Sequence, residues 1–192
     1  DVGCANSSWV PALRESNYRD TLAAMFEQMA KTLARIHRVD IEAAGLADYG
    51  RPGNYFERQV GRWSKQYRAS ETEPVPAMDA LMEQLAAQIP AEDGQRTLVH
   101  GDYRIDNMIF EANGTKCLAV LDWELSTLGN PLSDFAYMCR PYRDALRGAD
   151  LAALGIPAEE EFVATYCERT GRSGIDNWDY YLAFNMFRLA AI

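Results

Sequence analysis

The chain has 192 residues, with 28 acidic and 19 basic side chains and a formal net charge of −9. Its hydrophobic content of 48% and charged content of 24% are those of an ordinary globular domain, which excludes a disordered or collagen-like protein. The acidic balance argues against a nucleic-acid-binding protein, and no apolar run approaches the roughly 18 residues of a membrane span.

Three amphipathic helices are predicted in the first half of the chain. Apolar residues at steps of three and four form one face of the first helix: Tyr18, Leu22, Met25, Met29, Leu33 and Ile36. His37 closes that helix, where we expect it to cap or pack rather than to react. Asn54 is typical of an N-cap and predicts the start of a second helix, and the third is predicted over 77–88.

The periodicity then changes to that of short strands. Thr97–Val99, Asn107–Phe110 and Cys117–Leu121 are β-rich runs, and the last two flank the dipeptide Asn113-Gly114. This dipeptide favours the positive φ angles of a tight hairpin turn. A small β-hairpin is therefore predicted in the middle of the chain.

Helical spacing returns at Pro131, which suits a first helical position. Two more helices are predicted over 157–170 and 176–192, and the last carries aromatic side chains that we expect to need outside partners: Trp178, Tyr181, Phe184 and Phe187. The predicted fold class is α+β and mostly helical, with one small β-hairpin.

A polar cluster surrounds the predicted hairpin. Asp102 ends the first β-rich stretch, Asn107 opens the hairpin, and Asp122 leaves it. Such a loop can bring two carboxylates and an amide oxygen together, and oxygen ligands of this kind suit Mg²⁺ with substrate phosphates. Asp102 would then remain free to orient a hydroxyl and accept its proton, the division of labour that phosphoryl transfer requires.

These residues resemble a known family. His100-Gly101-Asp102-x-x-x-x-Asn107 followed by Asp122-Trp123-Glu124 is similar to the catalytic loop and metal motif of aminoglycoside phosphotransferase-like kinases. The stretches 48–59 and 125–134 resemble the subgroup associated with acyl-CoA dehydrogenases. The resemblance covers nearly the whole chain from about Trp9.

The resemblance implies a role for each matching residue. Asp102 is the expected catalytic base, Asn107 and Asp122 are the expected Mg²⁺ ligands, and His100 and Asp134 are expected to brace the loop. It also implies an ATP-dependent phosphotransferase acting on a hydroxyl of a small molecule, and a kinase-like C-terminal lobe whose hairpin carries the catalytic loop.

The substrate side is open at this point. Arg104 could meet a phosphate or pair with a carboxylate such as Asp106, and Glu124 could contact metal-bound water, substrate or solvent alone. The acidic balance would suit a cationic acceptor, whereas a basic stripe on the second helix could receive an anionic group such as a CoA phosphate: Arg58, Arg62, Lys65 and Arg68. A solvated helix face is the simpler interpretation of that stripe. The subgroup resemblance favours a hydroxyacyl compound or its CoA thioester.

The chain lacks the G-x-G-x-x-G loop that covers ATP in kinase-like enzymes, and none of its three lysines falls in a matching strand. We therefore expect residues 1–192 to be the C-terminal lobe of a larger enzyme, without the N-terminal ATP lobe. Alone, this lobe is expected to have negligible turnover and to self-associate or pair with the missing segments. Two other classes are compatible with parts of the cluster, a non-catalytic pseudokinase-like module and a metal-dependent hydrolase.

The four cysteines are scattered without C-x-x-C spacing, which favours reduced thiols and a cytoplasmic protein.

Overall fold

The computed structural model describes residues 18–192, so Cys4 and Trp9 lie outside the described residues. Its helices are α1 (Tyr18–His37), α2 (Tyr55–Ser70), α3 (Pro76–Ala87), α4 (Leu132–Cys139), α5 (Leu151–Leu154), α6 (Glu159–Thr170) and α7 (Trp178–Ala190). Its strands are β1 (Thr97–Val99), β2 (Met108–Phe110), β3 (Cys117–Val120) and β4 (Thr127–Gly129). Over this range, no helix has both the length and the apolarity needed to cross a membrane. The predicted α+β, mostly helical class is confirmed.

The strands form two antiparallel ribbons. Strand β2 pairs with β3, with Met108 opposite Val120, as the predicted hairpin requires. Strand β1 pairs with β4, with Val99 opposite Thr127, an arrangement that the sequence analysis missed. Strand β4 has one β-branched residue and ends in glycine, so it lacks the composition that identified β1. The ribbons bring the loop after β1, the start of β2 and the end of β3 into one region.

The hairpin turn differs from the prediction. Residues 111–116 form the connection, closed by the Glu111 amide donating to the Lys116 carbonyl at 3.0 Å. Neither Asn113 nor Gly114 has a positive φ. A loop of this length reverses the chain without the left-handed residues that a two-residue turn needs.

The helices enclose an aromatic core that supports the ribbons. Asn54 caps α2 as predicted, because its side chain accepts from the Glu57 amide at 3.1 Å. Phe135 of α4 stacks on Tyr166 of α6 at 3.8 Å between ring centroids. Helices α1, α4, α6 and α7 pack around these rings. The loop after β1 therefore packs against buried side chains.

The prediction that the aromatic residues of the last helix need outside partners is wrong for three of the four. Tyr181, Phe184 and Phe187 are buried inside this chain, because α7 packs against α4 and α3. Trp178 is half-buried, and its indole donates to Glu159 Oε1 at 3.0 Å. Helical spacing identified the apolar residues but does not reveal which helix covers them.

A matched pair of glycines tests the packing of α5. Gly155 and Gly171 end α5 and α6 with φ of 74° and 73°. A Cβ at Gly155 would collide with the carbonyl oxygen of Arg19, whereas a Cβ at Gly171 would meet no atom within 4 Å. Gly171→Ala should lower the free energy of unfolding by about 1 kcal/mol, because alanine is strained in the left-handed backbone conformation. Gly155→Ala should lower it by about 2–4 kcal/mol, since the collision adds to that strain. Urea unfolding measures both, and equal losses would contradict this account of α5.

Candidate active site

The predicted base and its neighbour are joined by hydrogen bonds. The Asn107 amide nitrogen donates to the Asp102 carbonyl oxygen at 2.9 Å and to Asp102 Oδ2 at 2.8 Å. Asn107 ends a 3-10 turn, Ile105–Asn107, that directly precedes β2. The Asp102 side chain keeps 19% of its surface exposed, so a substrate can reach a carboxylate whose orientation is fixed.

Asp134 holds the backbone of the same loop. Its Oδ2 accepts from the His100 amide at 2.6 Å and its Oδ1 from the Gly101 amide at 2.8 Å. Asp134 is only 1% exposed, so these are charge-assisted bonds in a region that excludes water. Gly101 has a φ of 86°, and a Cβ there would lie 2.6 Å from the Leu125 carbonyl oxygen. The loop therefore needs both the buried carboxylate and the glycine.

Asp134 is itself oriented by a second buried pair. Nε2 of His37 lies 3.4 Å from Asp134 Oδ2, and Nδ1 of His37 lies 2.7 Å from the Tyr166 hydroxyl oxygen. A carboxylate can only accept, so Nε2 carries a proton, and in the neutral imidazole Nδ1 then accepts from the Tyr166 hydroxyl. Burial raises the pKa of Tyr166, which keeps that hydroxyl a donor. His37 packs as predicted, and it joins α1 and α6 to the loop through Asp134.

His100 connects the loop to the turn that carries Asp122. The His100 ring is fully buried, its Nε2 lies 2.8 Å from the Leu121 carbonyl oxygen, and the ring lies 4.6 Å from that of Trp123. The Leu121 amide donates to the Asn107 carbonyl at 2.8 Å. Asp122 directly follows Leu121, whose backbone is held by these contacts, and it has a left-handed conformation with φ of 63°. Backbone strain of this kind in a residue other than glycine is typical of functional sites.

The donor set suits a hard cation. Both hydrogen bonds of the Asn107 amide use its nitrogen, and within residues 18–192 no group donates to its oxygen. Asp122 is exposed, and its carboxylate makes no ion pair with any described residue. An amide oxygen and a carboxylate beside substrate phosphates are ligands that Mg²⁺ accepts. No group of three His, Cys, Asp or Glu side chains in the described part of the chain has metal-site geometry.

Tyr137 is a contact that the sequence analysis missed. Burial, and then the neighbouring Asp102 carboxylate, raise the pKa of the Tyr137 hydroxyl. Arg104 lies on the other side, with Nε 3.4 Å from Asp102 Oδ2 and Nη1 3.8 Å from Asp106 Oδ2. Both alternatives for Arg104 stay open, because its half-exposed side chain pairs with carboxylates and faces solvent. Tyr137 follows no motif and lies 35 residues from Asp102, so spacing gave no signal.

The basic stripe of α2 does not join this site through any described contact. Arg58 donates to the Pro52 and Gly53 carbonyls and lines a separate cleft of about 670 Å³ beside β4. Arg62 is exposed and lies over the Trp63 ring at 5.0 Å. Arg68 pairs with Glu71 and Asp79. Glu124 is exposed near Asp122, with no hydrogen bond or ion pair to residues 18–192.

The role of Asp134 can be tested by stability. Asp134→Asn replaces one acceptor by an NH₂ group, which leaves a buried backbone amide without a partner. The free energy of unfolding should fall by about 2–3 kcal/mol. The matched control is Asp144→Asn, because the exposed Asp144 carboxylate pairs with Arg140. This variant should lower the free energy of unfolding by less than about 0.5 kcal/mol. Urea unfolding of both variants decides, and similar small losses would refute the bracing role.

Comparisons with known proteins agree with this geometry. A mouse protein, acyl-CoA dehydrogenase family member 10, is 48% identical in an alignment 177 residues long, and the match covers 88% of this chain but 16% of that protein. A crystal structure from Ralstonia eutropha, provisionally assigned as an aminoglycoside phosphotransferase, superposes with a TM-score of 0.88 at 48% identity. The match covers 93% of this chain and 56% of that one.

A more distant structure has the same fold. The aminoglycoside phosphotransferase APH(3'')-Id from Streptomyces rimosus, solved with ADP and streptomycin, gives a TM-score of 0.58 at 16% identity, over 88% of this chain and 64% of that chain. Residues 7–181 also match the description "phosphotransferase enzyme family". With a match over most of its length and the Asp102–Asn107 loop in place, the chain belongs to the phosphotransferase enzyme family.

Proposed function

We propose that this chain carries the catalytic loop of an ATP-dependent phosphotransferase that phosphorylates a hydroxyl group of a small molecule. The observation that supports this most directly is the Asp102 carboxylate, fixed by Asn107 and reachable by substrate. Asp122 leaves the adjoining strand, so the proposed base and the proposed metal ligands share one end of the hairpin.

The chain's own residues would divide the reaction as follows. Asp102 accepts a hydrogen bond from the acceptor hydroxyl, which orients its oxygen toward the γ-phosphorus of ATP. The new oxygen–phosphorus bond forms as the bond to the β-phosphate oxygen breaks, and the hydroxyl proton passes to Asp102. Asn107 and Asp122 would hold Mg²⁺, which neutralises charge on the phosphates when bound. His100 and Asp134 would keep the loop in position without touching the reacting atoms.

The donor and the architecture are part of the same proposal. The Streptomyces rimosus protein that shares the fold was solved with ADP, which supports ATP as the phosphate donor. We propose that residues 1–192 correspond to the lobe with the catalytic loop, since they span 56% of the Ralstonia eutropha chain. The Gly-rich loop and lysine that grip ATP would come from an N-terminal lobe, and residues 1–192 alone would have negligible turnover.

The names of the relatives favour one acceptor class. The mouse relative is named as an acyl-CoA dehydrogenase family member, and this chain spans only 16% of its length. A phosphotransferase unit in such a protein would most simply act on a hydroxyacyl compound or its CoA thioester. The described cysteines, Cys117, Cys139 and Cys167, are free thiols, which supports a reducing compartment such as the cytoplasm.

The assignment of the base predicts a specific kinetic change. In the full-length protein, Asp102→Asn should lower kcat by about 10²–10⁴-fold while the affinity for ATP stays nearly unchanged, because a general base is lost. Asp106→Asn is the matched control, since this carboxylate lies in the same loop with 49% of its side chain exposed. A steady-state kinase assay compares them. Full turnover of Asp102→Asn with the best acceptor would refute the assignment.

The assignment of the metal ligand predicts a different change. Asp122→Ala should raise the Mg²⁺ concentration needed for half-maximal activity by about tenfold or more, because a ligand is removed. Asp122→Asn separates this effect from backbone strain, because asparagine tolerates a left-handed φ as aspartate does. Both variants should shift the Mg²⁺ titration of kcat. An unchanged titration for Asp122→Asn would show that this carboxylate does not bind the metal.

A further inference from the structure

Arg188 is a buried cation on the face of α7 that packs against α4. The residue is 6% exposed, and its guanidinium carbon lies 4.3 Å from the centroid of the Tyr137 ring. A cation over an aromatic face gains some electrostatic attraction. That contact replaces only part of the hydration that a guanidinium loses on burial, so buried cations normally have an anionic partner.

Within residues 18–192, no carboxylate lies within ion-pair distance of Arg188, and its buried Nε has no hydrogen-bond partner. Arg140, Arg169 and Arg172 also have one buried nitrogen without a partner. Each of those three pairs with a carboxylate, namely Asp144, Glu27 and Asp93. Arg188 differs from them because it is the most buried and has only ring contacts.

The position of Arg188 points to the acceptor. The Tyr137 ring that it covers lies one helical turn after Asp134 on α4, and Asp134 accepts the backbone amides of His100 and Gly101 directly before the proposed base, Asp102. Burial raises the pKa of the Tyr55 hydroxyl to about 12, and the charge of Arg188 opposes that rise. Arg104 is a second cation in this region, with its Nε 3.4 Å from Asp102 Oδ2.

We propose that Arg188 binds an oxyanion group of the acceptor, a carboxylate or a phosphate, and so selects anionic acceptors over neutral or cationic ones. This inference rests on the proposed phosphotransferase function. A guanidinium fork matches the two oxygens of such a group, and in a buried site the resulting pair is strong. A cationic acceptor would instead meet a like charge with little solvent to screen it.

The experiment compares Arg188→Met with Arg140→Met in the full-length protein. Both variants remove a cation from the Tyr137 ring, but Arg140 lies farther away, at 5.8 Å, and already pairs with Asp144. The acceptors are hydroxybutyrate, its methyl ester, its CoA thioester and choline. In the wild type, the anionic acceptors should have the higher kcat/KM. Arg188→Met should lower that advantage by about 30-fold or more, and Arg140→Met should keep it.

The arms of the experiment identify the anion. If free hydroxybutyrate loses most in Arg188→Met, the bound group is the carboxylate, and if the CoA thioester loses most, it is a CoA phosphate. Arg188→Lys should recover part of the preference, because it keeps the charge without the fork. An unchanged ratio of anionic to neutral acceptor in Arg188→Met would overturn the inference and leave the phosphotransferase function standing.

A binding measurement distinguishes a failure of the Arg188 inference from a failure of the proposed phosphotransferase function. Inorganic phosphate should raise the thermal unfolding temperature of the wild type and of Arg140→Met, but not of Arg188→Met. Since an unpaired buried cation contributes little to folding, Arg188→Met should itself unfold at the same or a higher temperature without ligand. A lower temperature, with unchanged phosphate protection, would mean that Arg188 pairs with another part of the protein and would refute the inference. A different result would count against the proposed function instead. In that result, Arg188→Met loses the stabilisation by phosphate, but the wild type transfers phosphate to none of the acceptors.

Discussion

The buried carboxylate of Asp134 is the constraint on which the site depends. Its two oxygens accept the amides of His100 and Gly101, so the backbone entering the catalytic loop is fixed before any side chain acts. The carboxylate is stable in this interior only because it is fully used, with His37 as a third donor. Through His37 and Tyr166, the loop becomes part of the packing among α1, α4 and α6.

The two halves of the site are built in different ways. The Asp102 carboxylate accepts a hydrogen bond from the Asn107 side chain, which suits a group that must present one orientation to a hydroxyl. Asp122 instead projects from a left-handed turn and is exposed. The proposed metal ligand would gain from this exposure, because Mg²⁺ keeps several waters and arrives with its phosphates. Buried His100 couples the halves, since it contacts the Leu121 carbonyl and the Trp123 ring.

Local pattern predicted much of this arrangement, and non-local packing accounts for the rest. The spacing of Asp102 and Asn107 indicated their relation correctly, and the Asn54 cap was also evident from the sequence. The roles assigned to His100 and Asp134 came from family resemblance, because nothing in their spacing indicates which amides they meet. The contact between Tyr137 and Arg188 joins residues 51 positions apart, on helices whose mutual packing is not encoded in either helix alone. The basic stripe of α2 was equally regular in sequence, yet Arg58 binds loop carbonyls instead.

The burial of Asp134 also determines how the catalytic loop can move. An amide that donates to a carboxylate inside the core exchanges its proton with water only when that core opens. The His100 and Gly101 amides therefore belong to the same cooperative unit as α1, α4 and α6, although the sequence places them in a loop. The exposed Asp122 side chain accepts no such amide, although buried His100 holds the neighbouring Leu121 carbonyl. The protein thus combines a loop backbone that is as long-lived as its fold with a proposed metal ligand whose side chain faces solvent.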